Sequence, residues 1–105
     1  VEEMRSAYHQ RRDRVLELLD ASRIPAIRPA GAFYVWIDVT SSGLNGLAFA
    51  RHLLTDYRVA VTPGTTFGPA GDPFVRVSLA TDPSALYEGV ARLTSAVQRL
   101  EQGSI

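Results

Sequence analysis

The 105-residue sequence has no cysteine and no lysine, and all eleven of its basic residues are arginines. Without cysteine, it cannot form disulfides, thiolate metal sites or a cysteine nucleophile. Eleven acidic residues bring the formal net charge to zero, so no overall field attracts nucleic acid or an anionic membrane. The sequence also lacks an apolar run of membrane-spanning length and the pattern of a signal peptide. We therefore expect a soluble cytoplasmic protein with no nucleic-acid or membrane partner.

The composition that remains is that of a globular protein. Hydrophobic residues make up 46% of the chain and charged residues 21%, which is an ordinary mixture for a packed domain. A chain of this length is too short to bury two separate cores. We expect one domain over residues 1–105.

The first 22 residues carry apolar side chains at the spacing of a helix. These are Met4, Tyr8, Val15, Leu18 and Leu19. No capping residue precedes the pattern, and the chain starts at Val1 instead of a methionine. We expect this helix to continue from a missing upstream domain.

Further along the chain, short strands are predicted over residues 32–39, 58–61 and 74–80, and residues 24–28 form a linker or short extended run. Both faces of the first strand are largely apolar, as in a strand covered on both sides, and Trp36 is predicted to lie in the core. A second helix is predicted over residues 47–57, with Asn45 as its cap. Asp82 and Pro83 begin a third helix, which Gly103 ends.

Five apolar residues line one side of this third helix, at steps of four, three, four and three. They are Leu86, Val90, Leu93, Val97 and Leu100. The order of elements is thus helix, strand, helix, strand, strand, helix. This order predicts an α+β fold, a small β-sheet with helices packed on it.

Three segments carry more specific information. They read PAGAFYVWID (residues 29–38), VAVTPGTTFG (59–68) and FVRVSLA (74–80). In this order and spacing they resemble the C-terminal small domain of class I/II, fold-type I pyridoxal-phosphate (PLP) aminotransferases. Tyr8, Arg11, Arg12 and Asp13 also resemble that family's long helix between its large and small domains. The resemblance extends over essentially the whole chain.

The resemblance implies that Arg76 binds the α-carboxylate of the substrate. A guanidinium suits this task because it forms two parallel, charge-assisted hydrogen bonds to a planar carboxylate. Read from its residue type alone, Arg76 instead pairs with a carboxylate such as Asp72 or Asp38, or covers the sheet edge. Both interpretations place it on a strand, where its position is fixed.

Gly31, Phe33 and Tyr34 match the family segment at the mouth of the active site, so the resemblance makes them substrate-binding residues as well. Glycine allows a close backbone approach, and aromatic side chains line apolar pockets. The alternative is a tight turn leading into a core strand. Residues 62–68 resemble the loop beside the substrate, or form a turn imposed by Pro63 and Gly64.

Aminotransferases of this family act on an α-amino acid and a 2-oxo acid, and they need a lysine that forms a Schiff base with PLP. The absence of lysine implies that the catalytic and cofactor-binding residues belong to a missing large domain. We expect the isolated chain to be inactive and to bind PLP poorly. The resemblance also implies a homodimeric parent enzyme.

Three other interpretations stay open on the sequence. The chain could be the effector-sensing, aminotransferase-like domain of a GntR-type transcription regulator, part of a lyase or synthase of the same fold, or an isolated α+β interaction module. His9 and His52 lie on helical patterns without an evident partner, so we predict neither catalysis nor a metal site for them.

Overall fold

Three helices pack on one face of a four-stranded antiparallel sheet. The computed structural model describes residues 2–27 and 33–102, with side chains in the first helix described from Tyr8 onward. The elements in chain order are α1 (Glu2–Ala21), β1 (Ala26–Ile27), β2 (Tyr34–Asp38), α2 (Gly46–His52), β3 (Thr62–Pro63), β4 (Phe74–Ser78) and α3 (Pro83–Gln102). This arrangement confirms the predicted α+β fold.

The sheet has the strand order β1-β2-β4-β3, so β4 lies between β2 and β3. Trp36 of β2 and Thr62 of β3 are the register partners of Arg76 on its two sides. Arg76 therefore lies in the interior of the sheet and not at its edge. The alternative in which Arg76 covers a sheet edge is therefore wrong.

Alternation along the strands turns one face of the sheet toward the helices. Buried residues on this face include Val35, Ile37 and Val75, all with no exposed surface. From the helices, the core receives these buried side chains: Val15, Leu19, Phe49, Leu53, Leu86, Val90, Leu93, Ala96 and Val97. The apolar stripe predicted for α3 is thus confirmed from Leu86 to Val97, while Leu100 is partly buried at its end.

The helix ends follow the predicted capping residues. The Asn45 side chain accepts a hydrogen bond from the Ala48 amide at 2.9 Å, and an Asp82 carboxylate oxygen accepts one from the Ser84 amide at 3.1 Å. The predicted stop at Gly103 lies outside the described residues. Beyond α2 the helical path continues as a π-helical turn, Leu53–Tyr57, so the predicted helix over 47–57 is present in two parts.

The C-terminus of α1 forms a Schellman motif. The Ile24 amide donates to the Leu19 carbonyl, and the Arg23 amide donates to the Asp20 carbonyl, both at about 3.0 Å. Arg23 takes the left-handed conformation, with φ of 59°, at the position that glycine usually occupies. Ile24 and Leu19 are both buried, as the hydrophobic contact of this motif requires.

The predicted strand over 58–61 is wrong, since the third strand lies at Thr62–Pro63. Residues 58 and 59 are used to end the π-helical turn instead. Arg58 adopts a left-handed φ of 57°, and the Val59 amide donates to the Leu53 carbonyl at 3.2 Å. The backbone pairs with β4 only from Thr62 onward, after the π-helical turn has ended.

Two further expectations about β2 are also wrong. Within the described part of the chain, the helices cover only the face of β2 that carries Val35 and Ile37. On the opposite face, Tyr34 is 38% exposed and Trp36 is half-buried. Trp36 therefore lies outside the core, and the apolar character of this second face needs another explanation.

Candidate carboxylate-binding site

The sheet face that no described helix covers is rich in aromatic side chains. Tyr34 and Trp36 project from β2 and Phe74 from β4, and alternation places Arg76 on the same face. Phe67, from the loop after β3, packs edge-to-face on Trp36 with ring centroids 5.6 Å apart. We call Tyr34, Trp36, Phe67, Phe74 and Arg76 the aromatic face.

Arg76 contacts two of these rings closely. Its Cζ atom lies 3.9 Å from the centroid of the Tyr34 ring and 4.1 Å from that of Phe67. Both distances are within the range of a cation–π interaction. The half-buried guanidinium is thus held against aromatic carbon on the surface of the sheet.

The hydrogen-bonding groups of Arg76 have no partner among the described residues. The nearest candidates from the sequence were Asp38 and Asp72, and neither forms an ion pair with it. One Asp38 oxygen instead accepts hydrogen bonds from the backbone amide and the hydroxyl of Thr40. Arginine carries five N–H donors, so Arg76 presents an unused donor set on an otherwise apolar surface.

Other half-buried arginines of the described segments differ from Arg76 in this respect. Arg11 donates to the backbone carbonyl of Leu79 at 3.0 Å, which ties α1 to the end of β4. Arg12 contacts the Asp13 carboxylate through Nη2 at 3.4 Å, although its buried Nε atom has no hydrogen-bond partner among the described residues. Partly buried charges are normally paired, so Arg76, with only aromatic contacts among the described residues, departs from the usual pattern.

The loop that carries Phe67 is held by a close contact between two backbone segments. A methyl group added at Gly64 would lie 2.2 Å from the Gly71 carbonyl oxygen, and one added at Gly71 would lie 2.1 Å from the Gly64 oxygen. Only glycine at both positions allows this approach. The interpretation of Pro63 and Gly64 as turn residues is therefore incomplete, since Gly64 also closes the loop that places Phe67 over Arg76.

A shallow groove of about 370 Å³ borders the aromatic face. Its lining residues are Ile27, Trp36, Gly64, Phe67, Ala70, Gly71 and Phe74. Ile27 and Phe67 are each about half exposed. The groove is mostly apolar and adjoins the Trp36 and Phe67 rings beside Arg76.

Of the four residues predicted to bind substrate, Arg76 and Tyr34 contact each other. Phe33 is not part of that contact: its ring packs on Tyr8 of α1, with centroids 4.6 Å apart, and its carbonyl accepts from the Leu79 amide. Gly31 lies outside the described residues. Phe67 was not predicted as a site residue, although it is the phenylalanine of the segment VAVTPGTTFG.

The histidines take no part in this face. His52 lies at the edge of the core, and its Nδ1 atom is 3.3 Å from an Asp56 oxygen one turn later. The expectation that His52 lacks a carboxylate partner is therefore wrong. Across residues 2–27 and 33–102, no cluster of three or more metal-binding side chains occurs, and no helix is both long and apolar enough to cross a membrane.

The residues of this chain do not fit PLP. The cofactor requires a lysine amine for its Schiff base, and the chain has no lysine at any position. A single unpaired guanidinium on an aromatic surface suits a carboxylate better than a cofactor that also needs a covalent anchor.

The described residues thus form an α+β domain whose sheet carries at its centre an arginine with only aromatic contacts. The sequence model of "Aminotransferase class I and II" matches residues 1–93, so the chain belongs to the class I and II aminotransferase family. An aspartate aminotransferase of Pyrococcus abyssi is 38% identical over 98 residues, which are 93% of this chain and 25% of that protein. An arginine–pyruvate transaminase of Pseudomonas aeruginosa is 36% identical, over 95% of this chain and 26% of its own length.

Solved structures agree with this relationship. The aromatic aminotransferase of Pyrococcus horikoshii matches with a TM-score of 0.86 and 38% identity, over 93% of this chain and 26% of that one. The aspartate aminotransferase of Thermus thermophilus, solved with maleate, matches with a TM-score of 0.81 and 40% identity, over 90% and 24%. The chain thus spans about a quarter of the length of these relatives. Their identity confirms the family resemblance, and neither the regulator nor the isolated interaction module is favoured.

Proposed function

We propose that this chain supplies the substrate-carboxylate site of a PLP-dependent aminotransferase, in which Arg76 binds the α-carboxylate of an amino acid and of the matching 2-oxo acid. The observation that carries the proposal is the half-buried Arg76 guanidinium, which has no acceptor among the described residues. A guanidinium binds a planar carboxylate through two parallel hydrogen bonds. Two bonds fix the direction of the ligand as well as its position.

The mechanism of this site is binding and orientation. Because β4 is paired on both sides, the backbone beneath Arg76 is fixed, and a bound carboxylate would be held at a constant height above the sheet. The aromatic rings beside it lower the local dielectric, which would strengthen the ion pair with a bound carboxylate. The α-amino or 2-oxo group of the ligand would then project away from the sheet, toward whatever lies across the aromatic face.

The remainder of the enzyme is part of the same proposal. PLP, bound elsewhere, supplies the electron-withdrawing chemistry of amino-group transfer, and its lysine must come from residues outside these 105. We propose that the chain is the C-terminal small domain, that α1 links it to a large domain, and that the parent enzyme is a homodimer. An aminotransferase of this kind belongs in cytoplasmic amino-acid metabolism.

Titration of the chain with maleate tests the proposal directly. Maleate carries two planar carboxylates and no amino group, so it probes anion binding apart from the chemistry. Trp36, the single tryptophan, is the register partner of Arg76, and its fluorescence reports binding. We expect a saturable change in wild-type protein and a loss of affinity of about tenfold or more in Arg76→Gln, because charge-assisted hydrogen bonds are removed.

Arg51→Gln is the matched control, because it removes the same charge from an exposed position on α2. We expect its maleate affinity to stay within about twofold of wild type, as surface charges contribute little. Equal losses in both variants would mean that maleate responds only to net charge. That result would refute a specific site at Arg76.

A further inference from the structure

The two rings that contact Arg76 do so with their faces. Carbon atoms in contact lie about 3.5 to 4.0 Å apart. A guanidinium beside the edge of a ring would be farther from the ring centre than this, by the radius of the ring. The observed Cζ-to-centroid distances of 3.9 and 4.1 Å therefore place Arg76 over the faces of both Tyr34 and Phe67.

The rings approach Arg76 from different sides. Tyr34 comes from β2, where it is the register partner of Ser78, two residues beyond Arg76. Phe67 comes from the loop after β3, on the other side of β4. If both rings lay on the same side of the guanidinium, they would contact each other. Among the described aromatic pairs, Tyr34 and Phe67 make no such contact.

This arrangement covers the two faces of the guanidinium and leaves its edge accessible. The five N–H donors of arginine lie in the guanidinium plane, so stacking on the faces blocks none of them. A carboxylate also binds in that plane. Rings on two sides thus restrict the side chain without competing with its ligand.

We propose that Tyr34 and Phe67 are positioning residues of the carboxylate site, which hold the Arg76 guanidinium in its binding orientation before the ligand arrives. This inference rests on the proposed function of Arg76. It assigns to the two rings a role in affinity through preorganisation, because they stack on the arginine and not on the ligand.

The expected size of the effect follows from side-chain entropy. A ligand that immobilises a freely rotating arginine side chain removes its rotamer entropy. This loss lowers the affinity for the ligand by about thirtyfold. Removing one ring restores part of this freedom. We therefore expect Phe67→Leu and Tyr34→Leu each to weaken maleate binding by about three- to tenfold.

Phe67→Tyr and Tyr34→Phe serve as matched controls, because each keeps an aromatic face over the guanidinium. We expect both to bind maleate within about twofold of wild type. A second readout separates positioning from general damage to the fold. Two ring faces should shift the Arg76 Nε–H proton resonance upfield in the free protein, and each leucine variant should lose part of that shift while the conservative variants keep it.

The outcomes separate this proposal from the one on which it rests. If wild-type protein binds maleate and the leucine variants bind it equally well, or if the Arg76 resonance does not respond to them, the positioning role is refuted while the carboxylate site stands. If wild-type protein shows no maleate binding, the carboxylate site itself fails, and the positioning role fails with it. A selective loss in the leucine variants, with both controls intact, supports the proposal.

Discussion

Gly46, at the first position of α2, is predicted to tolerate no side chain. A methyl group at this position would lie 2.1 Å from the Phe74 carbonyl oxygen and 3.1 Å from that of Asp72. Carbon and oxygen approach no closer than about 3.3 Å even in favourable C–H contacts. The Gly46→Ala substitution therefore requires a relative movement of about 1 Å between α2 and β4.

Two contacts oppose this movement. The Gly46 amide donates to the Asp72 carbonyl at 2.7 Å, and Phe49, on the next turn of α2, has no exposed surface. Overpacking of this kind costs about 1 to 3 kcal/mol, and alanine returns less than about 1 kcal/mol through its higher helix propensity. We expect Gly46→Ala to lower the free energy of unfolding by about 2 kcal/mol.

Gly89→Ala provides the matched control within α3. Here the added methyl would meet the nearest atom, Cγ1 of Val59, at 3.7 Å, which is an ordinary contact. The higher helix propensity of alanine then acts alone, and we expect a gain of about 0.8 kcal/mol. The same chemical change should thus have opposite signs at the two positions.

Urea unfolding followed by Trp36 fluorescence and by helical circular dichroism measures both effects. With a slope of about 2 kcal/mol per molar urea, the midpoint should fall by about 1 M in Gly46→Ala and rise by about 0.4 M in Gly89→Ala. An unchanged or higher midpoint in Gly46→Ala would refute the close contact between α2 and β4. A lower midpoint in Gly89→Ala would show that the site on α3 is tighter than described.

Three further predictions concern other parts of the chain. Arg23→Gly should raise the free energy of unfolding by about 0.5 to 1 kcal/mol in the same urea assay, because glycine adopts the left-handed conformation of the Schellman motif without strain; a loss would contradict that conformation. Arg11→Met should lower it by about 1.5 kcal/mol, because the Leu79 carbonyl loses a charged donor, whereas Arg14→Met at an exposed ion pair should change it by less than about 0.5 kcal/mol. Addition of PLP, followed by reduction and peptide mapping, should label no side chain, since the chain has no lysine; a stable Schiff-base absorbance from any position other than the α-amino terminus would overturn this expectation.

The helices could be predicted from the sequence because their signals are local. Asp82 and Pro83 mark the start of α3, and the stripe from Leu86 to Val97 identifies its buried side. Each of these features depends on residues within a few turns of one another. No knowledge of the tertiary fold was needed to recognise them.

The strand over 58–61 was mispredicted because the end of the preceding π-helical turn decided its conformation. Residues 58–61 alternate as a strand would, but Arg58 and Val59 are used to close the π-helical turn. Periodicity cannot reveal this competition, because a short apolar run satisfies several local patterns. The helical turn fixes where pairing with β4 can begin.

Trp36 illustrates a second limit. An aromatic residue in an apolar strand is normally assigned to the core, yet Trp36 lies on the aromatic face, beside Phe67 and Phe74. The composition of β2 alone could not distinguish a strand buried in the core from one that forms a binding surface. The same applies to Phe67, whose role depends on a backbone contact between Gly64 and Gly71 that sequence spacing does not encode.

The most direct measurement is the steady-state kinetics of the enzyme that contains this chain, with Arg76 replaced by alanine. Loss of a two-bond, charge-assisted contact to the substrate carboxylate should lower kcat/KM by about 10²- to 10³-fold, with a marked rise in KM. Arg51→Ala, which removes an exposed arginine from α2, should leave kcat/KM within about twofold of wild type. An Arg76→Ala enzyme with unchanged kcat/KM for its amino-acid substrate would contradict the assignment of Arg76 as the carboxylate-binding residue.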